Sequence, residues 1–346
     1  MGYDATPLIP RSVLYGNPEK AGPQIAPDGK TLAYLAPQEG VLNVWLRTPG
    51  QDDDRVLTND TKRGIRAYSW QPDSQHILYI QDQGGDENWH LYQTDIHTRE
   101  TRDLTPYPNV RAQIIAVHPD FPNELLVGLN LRDPRFTDVH RIDLITGEVT
   151  FDTENPGDVT GWQEDNALQV RAAQAMNAEG GTEIRLRTDP AAPWQTFQSW
   201  GPEETFGGVI GFTPDNASVW MLSSVGANTS RLLEVNTVDG QARVIAEDPE
   251  YDVTTLLLHP SLHSLEAVGF LRARLEWTPL VEGLAADFAA LRALCDGDFN
   301  ISSRTHDNSL WVVSYTRDNG SPRYYTYERA THQGTLLFLE NSCLLD

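Results

Sequence analysis

The sequence predicts an all-β fold: a seven-bladed β-propeller of four-stranded antiparallel blades, with a short helical insert near blade six. Three observations predict it. Short apolar runs alternate at period two and are closed by turns, which is the pattern of antiparallel strands. A marker, a strand ending in a Pro-Asp or equivalent turn before a very apolar strand, recurs at Pro27, Pro72, Pro119, Asp165, Pro214, Pro260 and Asp307, so the spacings are 45, 47, 46, 49, 46 and 47 residues. A period of that length marks stacked or radial repeats, each unable to bury its faces alone.

The clearest unit runs from Ile65 to Tyr107, with turns at Pro72-Asp73-Ser74, Gly84-Gly85-Asp86 and His97-Thr98-Arg99. The remaining repeats follow its plan. Third strands read LNVWLRTP, NWHLYQTDI, TDVHRIDLI, TEIRLRTDP, SRLLEVNTV and PRYYTYERA, and fourth strands DRVLTND, TRDLTPY, GEVTFDTE, WQTFQSW, ARVIAEDP and GTLLFLEN. The sixth repeat departs. Leu284, Phe288, Leu291 and Leu294 fall at helical spacing there, and Gly297 is the expected stop. Radial packing of blades protects their edges and leaves a central channel lined by the first strand of each. Residues 1–20 are read as an irregular arm, 21–340 as the propeller and 341–346 as a tail.

Composition narrows the function. The 346 residues carry a net charge of −23, which repels phosphates and argues against nucleic acid and anionic membrane surfaces. No apolar run approaches the ~20 residues of a membrane helix. The start lacks a basic segment followed by an apolar one, so no secretory signal is expected, and the cytoplasm is the expected compartment. Cys295 and Cys343 make no disulfide framework.

Catalytic signals are sparse. There is no Gly-x-Ser-x-Gly elbow, and no strand–helix alternation to carry one. His259 and His263 lie four apart, but on a turn. His118-Pro119 and His259-Pro260 share a repeat position, which points to structure rather than metal. No metal, cofactor or catalytic residue is therefore expected on this chain.

Three places are candidates for contact with substrate or a neighbouring domain. The loop Asp82 to Asn88 joins the second and third strands of blade two. Its Asp86, Glu87 and Asn88 are either a hydrogen-bonded turn or a surface offered to a neighbouring domain or a peptide's amino end. Glu203 and Glu204, entering blade five, could hold a substrate ammonium, or be one more acidic loop. Arg304, in the first strand of blade seven, could line the channel or be a structural ion-pair partner.

The opening IPRSVLYGNPEKAGPQIAPDGKTLAYLAP, the segment GGDENWHLYQTD and the long block from His259 to Thr331 with its helical insert resemble the N-terminal propeller of the prolyl oligopeptidase family of serine peptidases. The similarity covers nearly the whole chain and leans toward acylaminoacyl-peptidase and dipeptidyl-aminopeptidase-like members. It implies a propeller that covers an α/β-hydrolase domain, bearing Ser, Asp and His, and limits access to short peptides. That domain is expected to be missing here, since the sequence stops where blade seven is expected to close. An excised domain, a truncated gene product and a stand-alone propeller all fit, and the Asn341–Asp346 tail favours truncation in the gene. In the related dipeptidyl peptidases a Glu-Glu pair binds the free amino terminus and a blade-two Arg positions substrate. Glu203-Glu204 resembles the pair, whereas Asp86-Glu87-Asn88 stands where the Arg is expected.

The resulting expectation is a non-catalytic, substrate-gating propeller. Its partners would be an α/β-hydrolase peptidase domain, in cis or trans, and short peptides. A stand-alone scaffold for proteins or peptides is the alternative, and a metal-dependent, lactonase-like propeller a third reading.

Overall fold

The recurring marker is a hairpin turn built the same way in every blade. The N–H three residues on, or four on at His263, donates back to the first carbonyl: Gly29 to Ala26, Ser74 to Gln71, Phe121 to His118, Leu168 to Asp165, Asn216 to Thr213, His263 to His259 and Asn308 to Thr305. Six of those donors, all but Phe121, adopt positive φ, from 53° to 76°. Gly and Asn carry that conformation at little cost, which is why they recur there. The Asp side chains of Asp28, Asp73, Asp215 and Asp307 each accept the N–H two residues on, at 2.9–3.1 Å. The repeated Asp in the sequence is therefore a local backbone clamp.

A computed structural model describes residues 9–202 and 207–344. Seven antiparallel sheets follow one another along the chain, each contiguous in sequence. They run from strands Ala21–Ile25 to Arg55–Val56, Tyr68–Trp70 to Thr101–Asp103, Gln113–Val117 to Val149–Thr153, Val159–Glu164 to Gln195–Trp200, Gly207–Phe212 to Ala242–Ala246, Val253–Leu258 to Leu275–Pro279, and Asp298–Arg304 to Gln333–Leu339. The second strand of each blade is its buried layer; Leu265–Leu271, for example, is buried throughout except at its last residue. Core clusters form between blades. Leu78, Leu91 and Leu104 of blade two pack with Leu125, Val127 and Ile142 of blade three.

Blade six has three strands, and helix Leu284–Leu294 follows in place of a fourth. Leu284, Phe288 and Leu291 are fully buried against Trp277, Phe299, Trp311 and Tyr327. On the same buried face Asp287 accepts hydrogen bonds from Tyr327 Oη at 3.0 Å and from Arg329 Nε and Nη2 at 3.1 and 2.9 Å. The helix ends before Gly297, whose φ of 127° and closeness to the Thr316 carbonyl exclude a side chain. The stop signal thus lies just beyond the helix proper.

The ring closes between blades one and seven. Ile25 N–H donates to Ser303 Oγ at 3.0 Å, Tyr34 and Phe338 rings meet at 5.4 Å, and Glu19 N–H donates to the Glu340 carbonyl at 2.9 Å. The arm expected to be irregular carries one exposed helical turn, Arg11–Tyr15. Among the described residues no helix is long and apolar enough to cross a membrane.

Candidate functional site: the two faces of the ring

Antiparallel strands give the ring two faces. The turn face carries the repeated hairpins between first and second strands. The connector face carries the hairpins between second and third strands and the segments leading to the next blade. The loop from Asp82 to Asn88 lies on the connector face. Arg304 ends a first strand and so lies at the turn face; the structure does not bring the two together. Glu203 and Glu204 lie outside the described residues, while the strands flanking them, which end at Trp200 and begin at Gly207, approach the connector face.

The blade-two loop is an ordered acidic turn. Asp86 accepts the N–H groups of Gln83 and Asn88 at 3.2 and 3.1 Å and the Asn88 side-chain amide at 3.1 Å. Those bonds hold its carboxyl below the usual carboxylate range. Glu87 sits at φ 59° with its N–H aimed at Asp82 Oδ2, 3.4 Å away. Asp82 is buried and accepts Arg63 Nε at 3.1 Å. The loop's acidic tip is thus exposed, and its base is fixed by an ion pair to the preceding connector.

Beside the loop is a cavity of about 370 Å³ lined by Arg63, Arg66, Asp82, Trp89 and Gln113. Arg66 and Trp89 are exposed there. An arginine and an indole lining one cavity offer a planar donor and an apolar wall, a combination suited to a peptide carbonyl or carboxylate. Sequence reasoning passed over these residues. Their signal was the basic cluster Lys62, Arg63, Arg66 in a chain of net charge −23.

Arg304 is committed to the seam between blades six and seven. Its Nη1 donates to Glu266 Oε2 at 2.7 Å and to Asn308 Oδ1 at 3.3 Å, and its Nη2 donates to the Leu258 carbonyl. Both partners of the ion pair are nearly buried, with side chains 10% and 7% exposed. Of its two expected roles, this geometry fits the structural ion pair.

His118, Asp120 and His263 bring one possible metal-ligand atom each within 4.8 Å of one another. The two imidazoles lie nearly parallel, 20° apart at 4.6 Å. Lone pairs in near-parallel planes do not converge on one ion, so this arrangement does not form a ligand shell.

The comparisons bear on the whole ring. No family model matches the chain. Dipeptidyl aminopeptidase BIII of Pseudoxanthomonas mexicana is 36% identical over 337 residues, covering 96% of this chain and 48% of that protein. The chain is a propeller of the prolyl oligopeptidase family. Dipeptidyl peptidase family member 6 of Caenorhabditis elegans is 26% identical over 343 residues, covering 94% of this chain and 46% of that one. This prolyl oligopeptidase-family propeller therefore spans about half the length of the curated relatives it matches. Among solved structures, a prolyl endopeptidase matches with a TM-score of 0.65 at 13% identity, over 94% of this chain and 50% of that one. The propeller domain of the trilobed protease from Pyrococcus furiosus, described as having an open velcro topology, matches with a TM-score of 0.62 at 11% identity, over 94% and 97%. These structures share the fold. Among the described residues of this chain each blade is contiguous in sequence, with no strand exchanged between its ends.

Proposed function

We propose that this propeller is the non-catalytic, substrate-gating part of a prolyl oligopeptidase-type serine peptidase, working beside an α/β-hydrolase domain in cis or in trans and restricting access to short peptides. The observation that carries the reading is the 36% identity over 337 residues with a dipeptidyl aminopeptidase of which the chain spans 48%. The connector face is the face we assign to the hydrolase domain. It carries the blade-two loop with Asp86, Glu87 and Asn88, and the strands that flank Glu203 and Glu204 approach it. In this reading the carboxylates receive a peptide ammonium, and Arg66 with Trp89 receives a carbonyl or carboxylate further along the peptide. Gating is then exclusion: a ring over the catalytic cavity passes flexible short chains and stops folded ones. The cytoplasm is the compartment this reading assumes.

The test mixes or fuses the chain with the hydrolase half of the Pseudoxanthomonas mexicana relative and assays dipeptidyl chromogenic substrates. The chain alone should be inactive. The pair should associate and cleave short peptides in preference to a long unfolded protein. Hydrolysis by the chain alone, or no association and no change in length preference, would overturn the reading.

A further inference from the structure

The turn face holds a contact that the peptidase reading does not use. His118 belongs to the hairpin turn of blade three and His263 to that of blade six. Two blades separate them on one side of the ring and three on the other, yet their rings stack at 4.6 Å. Loops from non-adjacent blades can meet only across the mouth of the channel. Phe121 packs edge-on against His118 at 5.4 Å and widens the obstruction. Hydrogen bonds also tie neighbouring turns together around this mouth: Asp28 N–H to Ser74 Oγ, Gln71 Nε2 to the Pro122 carbonyl, Asn166 Nδ2 to the Thr213 carbonyl, Ser261 Oγ to the His306 carbonyl and His306 N–H to the Pro27 carbonyl.

We infer that His118 and His263 form a latch that closes the turn-face mouth of the axial channel while both rings are neutral, and that acid releases it. His118 is 4% exposed, and its Nδ1 accepts the Asp120 N–H at 3.2 Å. The neutral ring therefore carries its proton on Nε2. A second proton would set two N–H groups against each other at Nδ1. The Nε2 atoms of both rings are buried without a hydrogen-bond partner, so neither has a local acceptor to stabilise a charged form. The charged groups facing the pair act in both directions. Asp120 and Asp165 favour a cation on His118 and Asp120 favours one on His263, while His306 opposes charge on His263, and His263 opposes it on His118 and on His259. Burial outweighs the carboxylates and holds both rings below the ordinary histidine value. Stacking joins two loops between which no hydrogen bond is found among the described residues, so charging both rings sets two cations face to face and removes what holds the loops together. This closure concerns the channel and stands apart from the identity of any peptidase partner.

Amide hydrogen exchange of residues 118–124 and 259–264 tests it, read at about pH 7.5 and about pH 5 with intrinsic rates corrected. Both segments should exchange about tenfold faster in acid, while the buried second strands remain unchanged. The double variant His118→Phe/His263→Phe keeps two stackable rings that cannot titrate, and its exchange should not differ between the two conditions. Imidazole titration of the unaltered protein by NMR needs no variant: both rings should titrate below the free-histidine value, each shifting as the other charges. Equal exchange at both pH values, rings titrating independently at the ordinary value, or acid opening retained in the Phe pair would overturn the latch. So would saturable binding of added zinc that is lost in His118→Phe, an outcome that would make the group a metal site instead.

Discussion

Arg304 Nη1 lies 2.7 Å from Glu266 Oε2 across the seam between blades six and seven, with both side chains nearly out of water. Removing one partner leaves the other charge buried and uncompensated, which costs about 3–5 kcal/mol. Arg304→Met and Glu266→Leu should each lower the unfolding free energy measured in urea by that order. The pair Arg304→Met/Glu266→Leu should cost clearly less than the two added together. A double-mutant cycle measures the coupling; simple additivity would show the two charges do not depend on each other.

Glu164 closes the first strand of blade four, and burial, with Asp165 beside it, pushes its carboxyl up to about 7. The folded value lies above the unfolded one, so the group's contribution is fully present below the unfolded pKa and is lost as pH rises through about 7. Glu164→Gln should therefore match the parent near pH 4 and be more stable by about 1–3 kcal/mol above pH 8. Thermal unfolding across that range checks it, and a constant offset would contradict it.

Gly181 and Gly50 separate two reasons for glycine. A Cβ at Gly181 would lie 2.0 Å from the Trp200 carbonyl oxygen and 2.8 Å from the Gly201 carbonyl carbon, both backbone atoms that cannot swing aside. Gly50 has open space but a φ of +76°. Gly181→Ala should cost about 3 kcal/mol through backbone displacement, and Gly50→Ala about 1 kcal/mol through its left-handed conformation alone. Chemical denaturation of both variants gives the comparison.

Arg66 and Trp89, both exposed, line the same cavity. With the hydrolase half present, Arg66→Ala should raise KM for short peptides about tenfold, the loss expected for one charge-assisted hydrogen bond, with kcat little changed. Steady-state kinetics on dipeptidyl substrates separates the two constants. A fall in kcat with KM intact would place Arg66 outside peptide binding.

Much of this ring was legible because its turns are local. Each hairpin needs a residue that tolerates positive φ and an Asp that caps its own backbone, at fixed offsets, and Gly29, Asp73, Asn216 and Asp307 record that need in one dimension. The helix was legible from the spacing of Leu284, Phe288 and Leu291. That it stands where a fourth strand would be was not, because the missing strand is defined by a pairing partner. The same reason hid the latch. His118 reads as the repeat equivalent of His259, but the ring it meets is His263, brought close by closure of the circle. Arg304 was weighed as a channel-lining residue or an ion-pair partner, and Glu266, with which it pairs, was not named because it comes from another blade. Arg63, Arg66 and Trp89 went unnoticed because a cavity between connector and hairpin leaves no spacing rule behind.

The seam at Glu19 and Glu340 has a further consequence. Among the described residues no blade borrows a strand from the far end of the polypeptide, and the Glu19 N–H already sits 2.9 Å from the Glu340 carbonyl. Blade order in the gene and blade order around the circle are thus separable. A circular permutant with a short peptide spanning that gap, and new ends cut between Pro249 and Glu250 in an exposed connector, should rebuild the same seven neighbours from a different starting point.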